Sequence, residues 1–343
     1  MAGVGNKINS EDQTVTKVKL DAAVLNIDCA AEANRIAARM VEIVARQLHR
    51  RGVIIALSGG VDSSVCGALA VKAFGPKKVF GLLLPEKDSS SSSATLGQRV
   101  AEQLGISYKI ENIGPTLEAI GCYRWRDEAI RVLFPEYGDD WKSKIAIAGG
   151  SQGRINFFKL VVQSPDGKIR EERLPIREYL QIVAATNFKQ RIRKTVEYFH
   201  ADRMNYAVIG TPNRLEYDQG FFVKNGDGAA DIKPIAHLYK TQVYALARYL
   251  GLPSEVCSAM PTTDTYSMQQ GQDEFYFSLP YDKMDIALWA RNHGVPEDGL
   301  AEYLGISHSQ ANHIYADIDS KRHTTHYLHA KPVLVESVPE IVF

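Results

Sequence analysis

The sequence predicts an α/β fold, a doubly wound parallel sheet with helices on both faces. Three observations lead there. Short apolar runs, rich in Val and Ile, alternate with longer amphipathic stretches, the order expected of β-α-β units. Glycine- or serine-rich loops at 58–64, 85–93 and 210–216 follow those runs, and a doubly wound sheet gathers its ligands outside the C-terminal ends of its strands. One stretch, 123–175, breaks the alternation and reads as an inserted segment containing a hairpin.

Taken in order, an Ala-rich stretch from Ala30 to Leu48 predicts a helix, and Gly52–Leu57 a buried strand bounded by glycine. A helix over Ser63–Phe74, a strand over Val79–Leu84, a helix over Ala94–Leu104 and a strand over Ser107–Ile110 follow. Within 123–175, Ile155–Gln163 and Lys168–Leu174 flank Ser164-Pro165-Asp166-Gly167, the residue types of a tight turn. Tyr206–Ile209 supplies a further short strand, and short helices are expected towards Ser320. The boundaries drawn from this are a polar N-terminal tail (1–28), a main body (29–322) with its insertion, and a C-terminal tail (323–343).

Composition excludes several classes of function. The 343 residues are 45% hydrophobic and 23% charged, which suits a soluble globular chain. Forty basic residues balance forty acidic ones, so no global field favours nucleic acid or an anionic membrane. No apolar run reaches the ~20 residues of a spanning helix, and the polar start lacks a signal-peptide layout. Four cysteines without a C-x-x-C pair encode neither a disulfide framework nor a zinc knuckle, so a reduced, cytoplasmic protein is expected. His323, His326 and His329 have helical spacing but no Cys or Glu to complete a metal set, and read as exposed histidines. Val295–Tyr315 has the look of a helix-turn-helix but little positive charge, so no nucleic-acid or membrane partner is expected.

The chemistry concentrates in Leu57-Ser58-Gly59-Gly60-Val61-Asp62-Ser63-Ser64, placed between a strand and a helix. Glycines let the backbone approach a ligand closely, and a helix start offers unpaired N–H groups and a partial positive charge. Ser58, Ser63 and Ser64 add hydroxyls, and Asp62 is a hard oxygen ligand suited to Mg²⁺. This is a polyphosphate site without the Gly-Lys-Ser/Thr of a Walker loop.

The loop resembles the pyrophosphate-binding S-G-G-x-D-S-[ST] loop of the N-type ATP pyrophosphatases, which implies an adenine nucleotide alpha hydrolase-like fold. A second block, from Ile209-Gly210-Thr211 through Glu216, Phe222, Lys224, Asn225-Gly226-Asp227-Gly228 and Asp231 to Lys240 and Val243, is similar to the signature stretch of the NAD synthetase family. Asn187–Arg193 with Tyr198 resembles that family's N-x-K-A-R-x-R helix, and Pro261–Asp264 with Gln272-Asp273-Glu274 its phosphate-covering loop. The resemblance implies an ammonia-dependent amide ligase that adenylates the carboxylate of deamido-NAD with ATP, then transfers ammonia to give NAD, AMP and pyrophosphate. A related adenylating ligase for another acid and amine is the alternative.

By the same resemblance Asp62 and Glu216 hold Mg²⁺. Ser58, Gly59, Gly60, Asp62, Ser63, Ser64, Arg191, Thr211, Lys240 and Thr262 bind ATP. Tyr198, Phe222, Lys224, Asp227 and Asp231 hold the acid. Lys240 stands as a catalytic cation, and Asp227 or Asp231 as acceptor of the ammonium proton. A homodimer is implied, and ammonia is expected from solution or a separate glutaminase, because no amidase segment precedes the first helix. Two departures fall in the acid-recognition half: the length of 123–175, and Ser320-Lys321-Arg322 where the family has His-Lys-Arg.

Overall fold

β1 (Val53–Ala56) is buried on both sides, with Val53, Ile54 and Ile55 at 0% exposure, as the centre of a parallel sheet requires. In the computed structural model, which describes residues 20–148, 157–260, 266–268, 271, 276 and 279–340, β1 pairs in parallel with β2 (Val79–Leu83) and β7 (Ala207–Val208). β3 (Ser107–Ile110) joins β2, giving the order β3-β2-β1-β7. Beyond the two-residue β7, a parallel bridge from Ile209 to Ile232 continues the edge.

Alternation along the strands sorts the core into two layers. Val53 and Ile55 pack with α1 (Cys29–Val41), α2 (Val61–Phe74) and α8 (Lys240–Tyr249) on one face. Ile54, Leu82 and Val208 pack on the other with α4 (Gly114–Ala119), α5 (Cys122–Arg131) and α6 (Ile176–Met204). The predicted helix over 30–48 is α1 followed by a π-helical turn, Glu42–Gln47. Asp28 caps α1 by accepting from the N–H groups of Ala30 and Ala31. α3 (Ser91–Gln103) precedes β3.

Two readings of the middle of the chain need correction. α5 was not foreseen, and its Cys122 and Tyr123 lie in the core beneath α6, so the segment outside the alternating pattern starts later than 123. The hairpin is present as β5 (Phe157–Gln163) and β6 (Ile169–Arg173), but β4 (Lys142–Ala148) adds a third strand, in the order β4-β5-β6. This sheet packs Ile145, Leu160 and Val162 with Phe134, Tyr137 and Ile182.

The C-terminal third forms its own layer of α10 (Tyr281–Asn292), α11 (Glu297–Leu304) and α12 (His308–His329), with α7 (Arg214–Gln219) packed against α10 and α12, whereas the short α9 (Ser254–Ser258) packs with α2 and α8 on the main sheet. α12 passes through position 323 unbroken, so the boundary drawn there falls inside a helix. His323, His326 and His329 are exposed on it. Among the described residues no helix is long and apolar enough to cross a membrane.

Glu32 of α1 ties this helix to the loop before α8. Its carboxylate accepts from Arg35 at 2.6 and 2.9 Å and is 2.7 Å from His237 Nε2. Arg35 first, with His237, holds the carboxyl down at about 2. A depressed carboxyl contributes stability that is complete above the unfolded value, near 4.5, and is lost as pH falls towards 2. Glu32→Gln should therefore remove part of the acid sensitivity of Tm between pH 4.5 and 2. Because the partners are exposed, the effect at neutral pH should stay below about 1 kcal/mol.

Candidate active site

A cleft of about 1650 Å³ opens at the C-terminal ends of the strands, where the topology expects it. Its floor is the turn from β1 into α2. Gly59 has φ +82°, and a Cβ there would lie 2.5 Å from the Ser93 carbonyl oxygen and 3.2 Å from Gly97 N. α3 thus presses against the turn from behind. Ser58, Gly59, Gly60, Asp62 and Ser63 line the cleft. Ser58 Oγ accepts from Gly60 N and lies 3.2 Å from Ser63 Oγ. Ser64 does not face the cleft: it is fully buried, and its hydroxyl donates to the Gly60 carbonyl at 2.8 Å.

Asp62, Glu216 and Lys240 come from three separate segments and meet here. Lys240, at the start of α8, is 2% exposed and donates to Asp62 Oδ2 at 2.5 Å. Burial works to lower the Lys240 ammonium, but Asp62 and then Glu216 outweigh it and hold it raised. Asn213 caps α7 and donates from Nδ2 to Asp62 Oδ1 at 3.0 Å, while Glu216 Oε2 accepts from Asn213 N at 3.1 Å. The signature stretch therefore folds as a capped helix whose cap positions the aspartate of the phosphate loop. Among the described residues no three His, Cys, Asp or Glu side chains cluster as a complete metal site. Two carboxylates suit Mg²⁺, which keeps waters and takes its remaining ligands from substrate phosphates.

The wall opposite is one face of α6. Tyr179, Val183, Thr186, Asn187, Gln190, Arg193, Lys194 and Glu197 line the cleft, spaced three or four apart as one helical stripe. Arg191 is off the stripe: it is exposed, and its Nε donates to the Lys224 carbonyl at 3.3 Å. Arg193, two positions on, takes the cleft side and donates to Leu84 O at 3.4 Å. Lys189 points into the protein, pairing with Asp88 at 2.5 Å and Glu86 at 3.0 Å. Arg126 joins Asp88 at 2.6 Å, and Tyr123 donates to Glu86 at 2.8 Å. These buried pairs fix the loop after β2, whose Lys87, Asp88, Ser89 and Ser90 also line the cleft.

The cleft is also lined by Phe222 and by Asp227, whose charge is felt by Glu197 and Lys194 towards the C-terminal end of the α6 stripe, by Trp141, Phe157 and Phe158 of the inserted segment, Phe158 stacking on Tyr179 at the stripe's other end, and by Thr324, Thr325, Tyr327 and Leu328 of α12. Asp227 Oδ1 accepts from Val223 N at 2.7 Å, and burial pushes its carboxyl up. Lys194 donates to Glu197 at 2.8 Å, both buried, and burial, with Asp227 adding to it, pushes Glu197 up as well. Three predicted acid-site residues lie off the cleft surface. Asp231 is exposed and accepts from Val208 N at 2.7 Å and from Tyr198 OH at 3.2 Å, so this pair fastens the sheet edge. Lys224 Nζ donates to the carbonyls of Tyr327 and Ala330. Thr211 lines the cleft. Thr262, Pro261–Asp264 and Gln272-Asp273-Glu274 lie outside the described residues.

Sequence reasoning missed Lys194, Glu197 and the α12 residues. The three-to-four spacing of polar side chains along 179–197 was the signal for the first two.

Comparison with known proteins agrees with this geometry. The family model for NAD synthase matches residues 33–132 and 155–327, which leaves only 133–154 unmatched between them. The NH(3)-dependent NAD(+) synthetase of Rhizobium meliloti is 56% identical over 95% of this chain and 97% of its own length. That of Mesorhizobium japonicum is 54% identical over 92% and 100%. The structure of an NH3-dependent NAD synthetase from Campylobacter jejuni shares the fold, with a TM-score of 0.59 at 22% identity, over 90% of this chain and 100% of that one. A family match that includes the phosphate turn, the capped helix of Glu216 and the stripe on α6 leaves one conclusion: the chain belongs to the NAD synthase family.

Proposed function

We propose that the protein joins ammonia to the carboxylate of deamido-NAD, consuming ATP and releasing AMP and pyrophosphate as NAD forms. The observation that carries this reading is the single continuous cleft. A pocket for one ligand occupies roughly 300–1,000 Å³, and this one, at about 1650 Å³, runs from the phosphate turn to an aromatic wall. It suits two nucleotides held end to end, with the reacting carboxylate and α-phosphate between them.

In this reading Ser58, Gly59, Gly60 and Ser63 cradle the pyrophosphate of ATP, and Thr211 and Arg193 face its α-phosphate side. Asp62 and Glu216 hold Mg²⁺, which when bound supplies positive charge to the phosphate oxygens. Lys240 is desolvated and kept charged by its carboxylate neighbours, so it meets developing negative charge without reorganising. The carboxylate oxygen of the acid attacks the α-phosphorus and pyrophosphate leaves. Ammonia then adds to the acyl carbon and AMP departs with the bridging oxygen. Ammonium must first lose a proton, and Asp227, whose carboxyl burial has pushed up, is the acceptor at that end. Asp231, committed to the sheet edge, is not.

Two further features fit the family expectation. Ile176, Leu180 and Val132 are exposed apolar side chains on and beside α5 and α6, a surface that a second copy of the chain would cover. All four cysteines are free thiols, in keeping with a reducing cytoplasm.

Purified protein given ATP, Mg²⁺, ammonium and deamido-NAD should form NAD and AMP in equal amounts, with no NAD when ammonium is omitted. AMP released without NAD would move the assignment to a different acid.

A further inference from the structure

α8 begins at Lys240, and its N-cap is Tyr239, which has no short side-chain oxygen to accept from the first N–H groups of the helix. The missing acceptor comes from another helix. Asp285 of α10 accepts from Lys240 N at 3.2 Å through Oδ1, and from Thr241 N and Thr241 Oγ1 at 2.7 Å each through Oδ2. Its carboxylate also places negative charge at the positive end of the α8 dipole. Lys240 is thereby held at both ends, its main chain by Asp285 and its ammonium by Asp62.

Asp285 is 0% exposed, between Met284 and Ile286 in the apolar layer of α10, and it does not line the cleft. Burial pushes its carboxyl up to about 6, against the pull of the bonds from Thr241 and Lys240. The other ionisable groups around it are Tyr239 before α8, Tyr281 and Asp282 at the start of α10, and, across Tyr239, Arg214 and Asp218 of α7. Towards α11 and α12, Glu297 and Asp319 act on Arg291 instead. Burying a charge is costly. An uncharged serine or asparagine would cap the turn without that cost, so the charge needs a use beyond capping.

We propose that Asp285 is a positioning residue for the phosphate chemistry: its ionised carboxylate fixes the first turn of α8, and with it the place where the Lys240 ammonium stands, without touching substrate. This deepens the functional reading and rests on it for the role of Lys240. A protonated Asp285 keeps one acceptor oxygen but turns a hydroxyl towards N–H donors that need a partner, so the turn loosens. The placement of Lys240 is therefore secure above pH 6 and is lost as pH falls below it.

The test compares the wild-type chain with Asp285→Asn, which is uncharged and of the same size. At pH 8, kcat for AMP formation should fall about 10-fold, with KM for deamido-NAD within about twofold. The ratio of the two rates should close to about threefold at pH 5.5, where roughly three-quarters of the wild-type carboxyls are protonated. Taking the ratio at each pH cancels the titration of ATP and ammonium, which both enzymes share. A cap that serves folding alone gives a ratio near one at every pH, and that result overturns the proposal. So does a tenfold ratio that stays constant down to pH 5.5, because charge would then be irrelevant.

If Asp285→Asn does not fold, Thr241→Val takes its place. Its lost bond lets burial push Asp285 higher, so kcat should fall about threefold near pH 6.5 and return towards the wild-type value at pH 8. An unchanged kcat near pH 6.5 overturns the proposal. Hydrogen exchange gives a readout independent of activity. The amides of Lys240 and Thr241 should exchange about tenfold faster in Asp285→Asn at pH 7, and unchanged exchange there overturns the anchoring. If the wild-type chain releases no AMP from ATP, the functional reading falls, and exchange still decides whether Asp285 holds the turn.

Discussion

Asp62→Asn is expected to lower AMP and pyrophosphate formation by about 10³-fold at saturating ATP. The side chain keeps its size and can still accept from Lys240, but it loses the charge that would hold Mg²⁺ in the proposed reading and that helps keep the Lys240 ammonium raised. The loss should appear in kcat, because charge at the phosphates matters most as the α–β bond breaks. Some stability goes with it, since removing one partner of a buried ion pair leaves the other uncompensated. A fall in Tm of a few degrees is therefore expected beside the kinetic loss. AMP formation within tenfold of the wild-type rate would overturn the proposed Mg²⁺ role of Asp62.

Gly59→Ala should damage both fold and site. The backbone there, at φ +82°, disfavours any side chain, and the added Cβ would meet the Ser93 carbonyl, which is main chain and cannot swing aside. Gly97 faces the same restriction from α3, where a Cβ would lie 2.7 Å from Leu57 O. Either the turn or α3 must shift. A cost of about 3 kcal/mol or more follows, read as a Tm lower by at least about 5 °C with KM for ATP raised more than about 100-fold. Unchanged values for both would mean that the turn is not held from behind as described.

The phosphate turn was legible because its requirements are local. A strand, two glycines and a helix start within eight residues specify an anion site whatever surrounds them. Asp62, Glu216 and Lys240 could also be grouped, but only through resemblance. Nothing in their spacing shows that Asn213 would cap α7 and donate to Asp62. α6 hid its working face for a different reason. Besides its apolar row, it buries Lys189 towards the protein and Lys194 and Glu197 beside the cleft, all in ion pairs, so polarity does not separate its inside from its outside. The end of α12 was hidden likewise: Thr324, Thr325 and Tyr327 are polar or amphipathic, and such a run reads as a solvated tail. Burial by ion pairing, and polar walls meant for a polar ligand, are what hydrophobic patterning cannot see.

α6 has a consequence for how this protein could change over time. The side chains it turns to the cleft run from Tyr179 to Glu197, about 27 Å along one unbroken rod at 1.5 Å per residue. One helix thus acts as a ruler, setting the separation between whatever binds beside the inserted sheet, where Phe158 stacks on Tyr179, and whatever binds beside Asp227, near Lys194 and Glu197. Altering the aromatic wall, through the inserted sheet or the end of α12, leaves that spacing untouched. New acids could be tried at one end without recalibrating the other, whereas a single residue added to or deleted from the middle of the rod would rotate one half of the site out of register with the other.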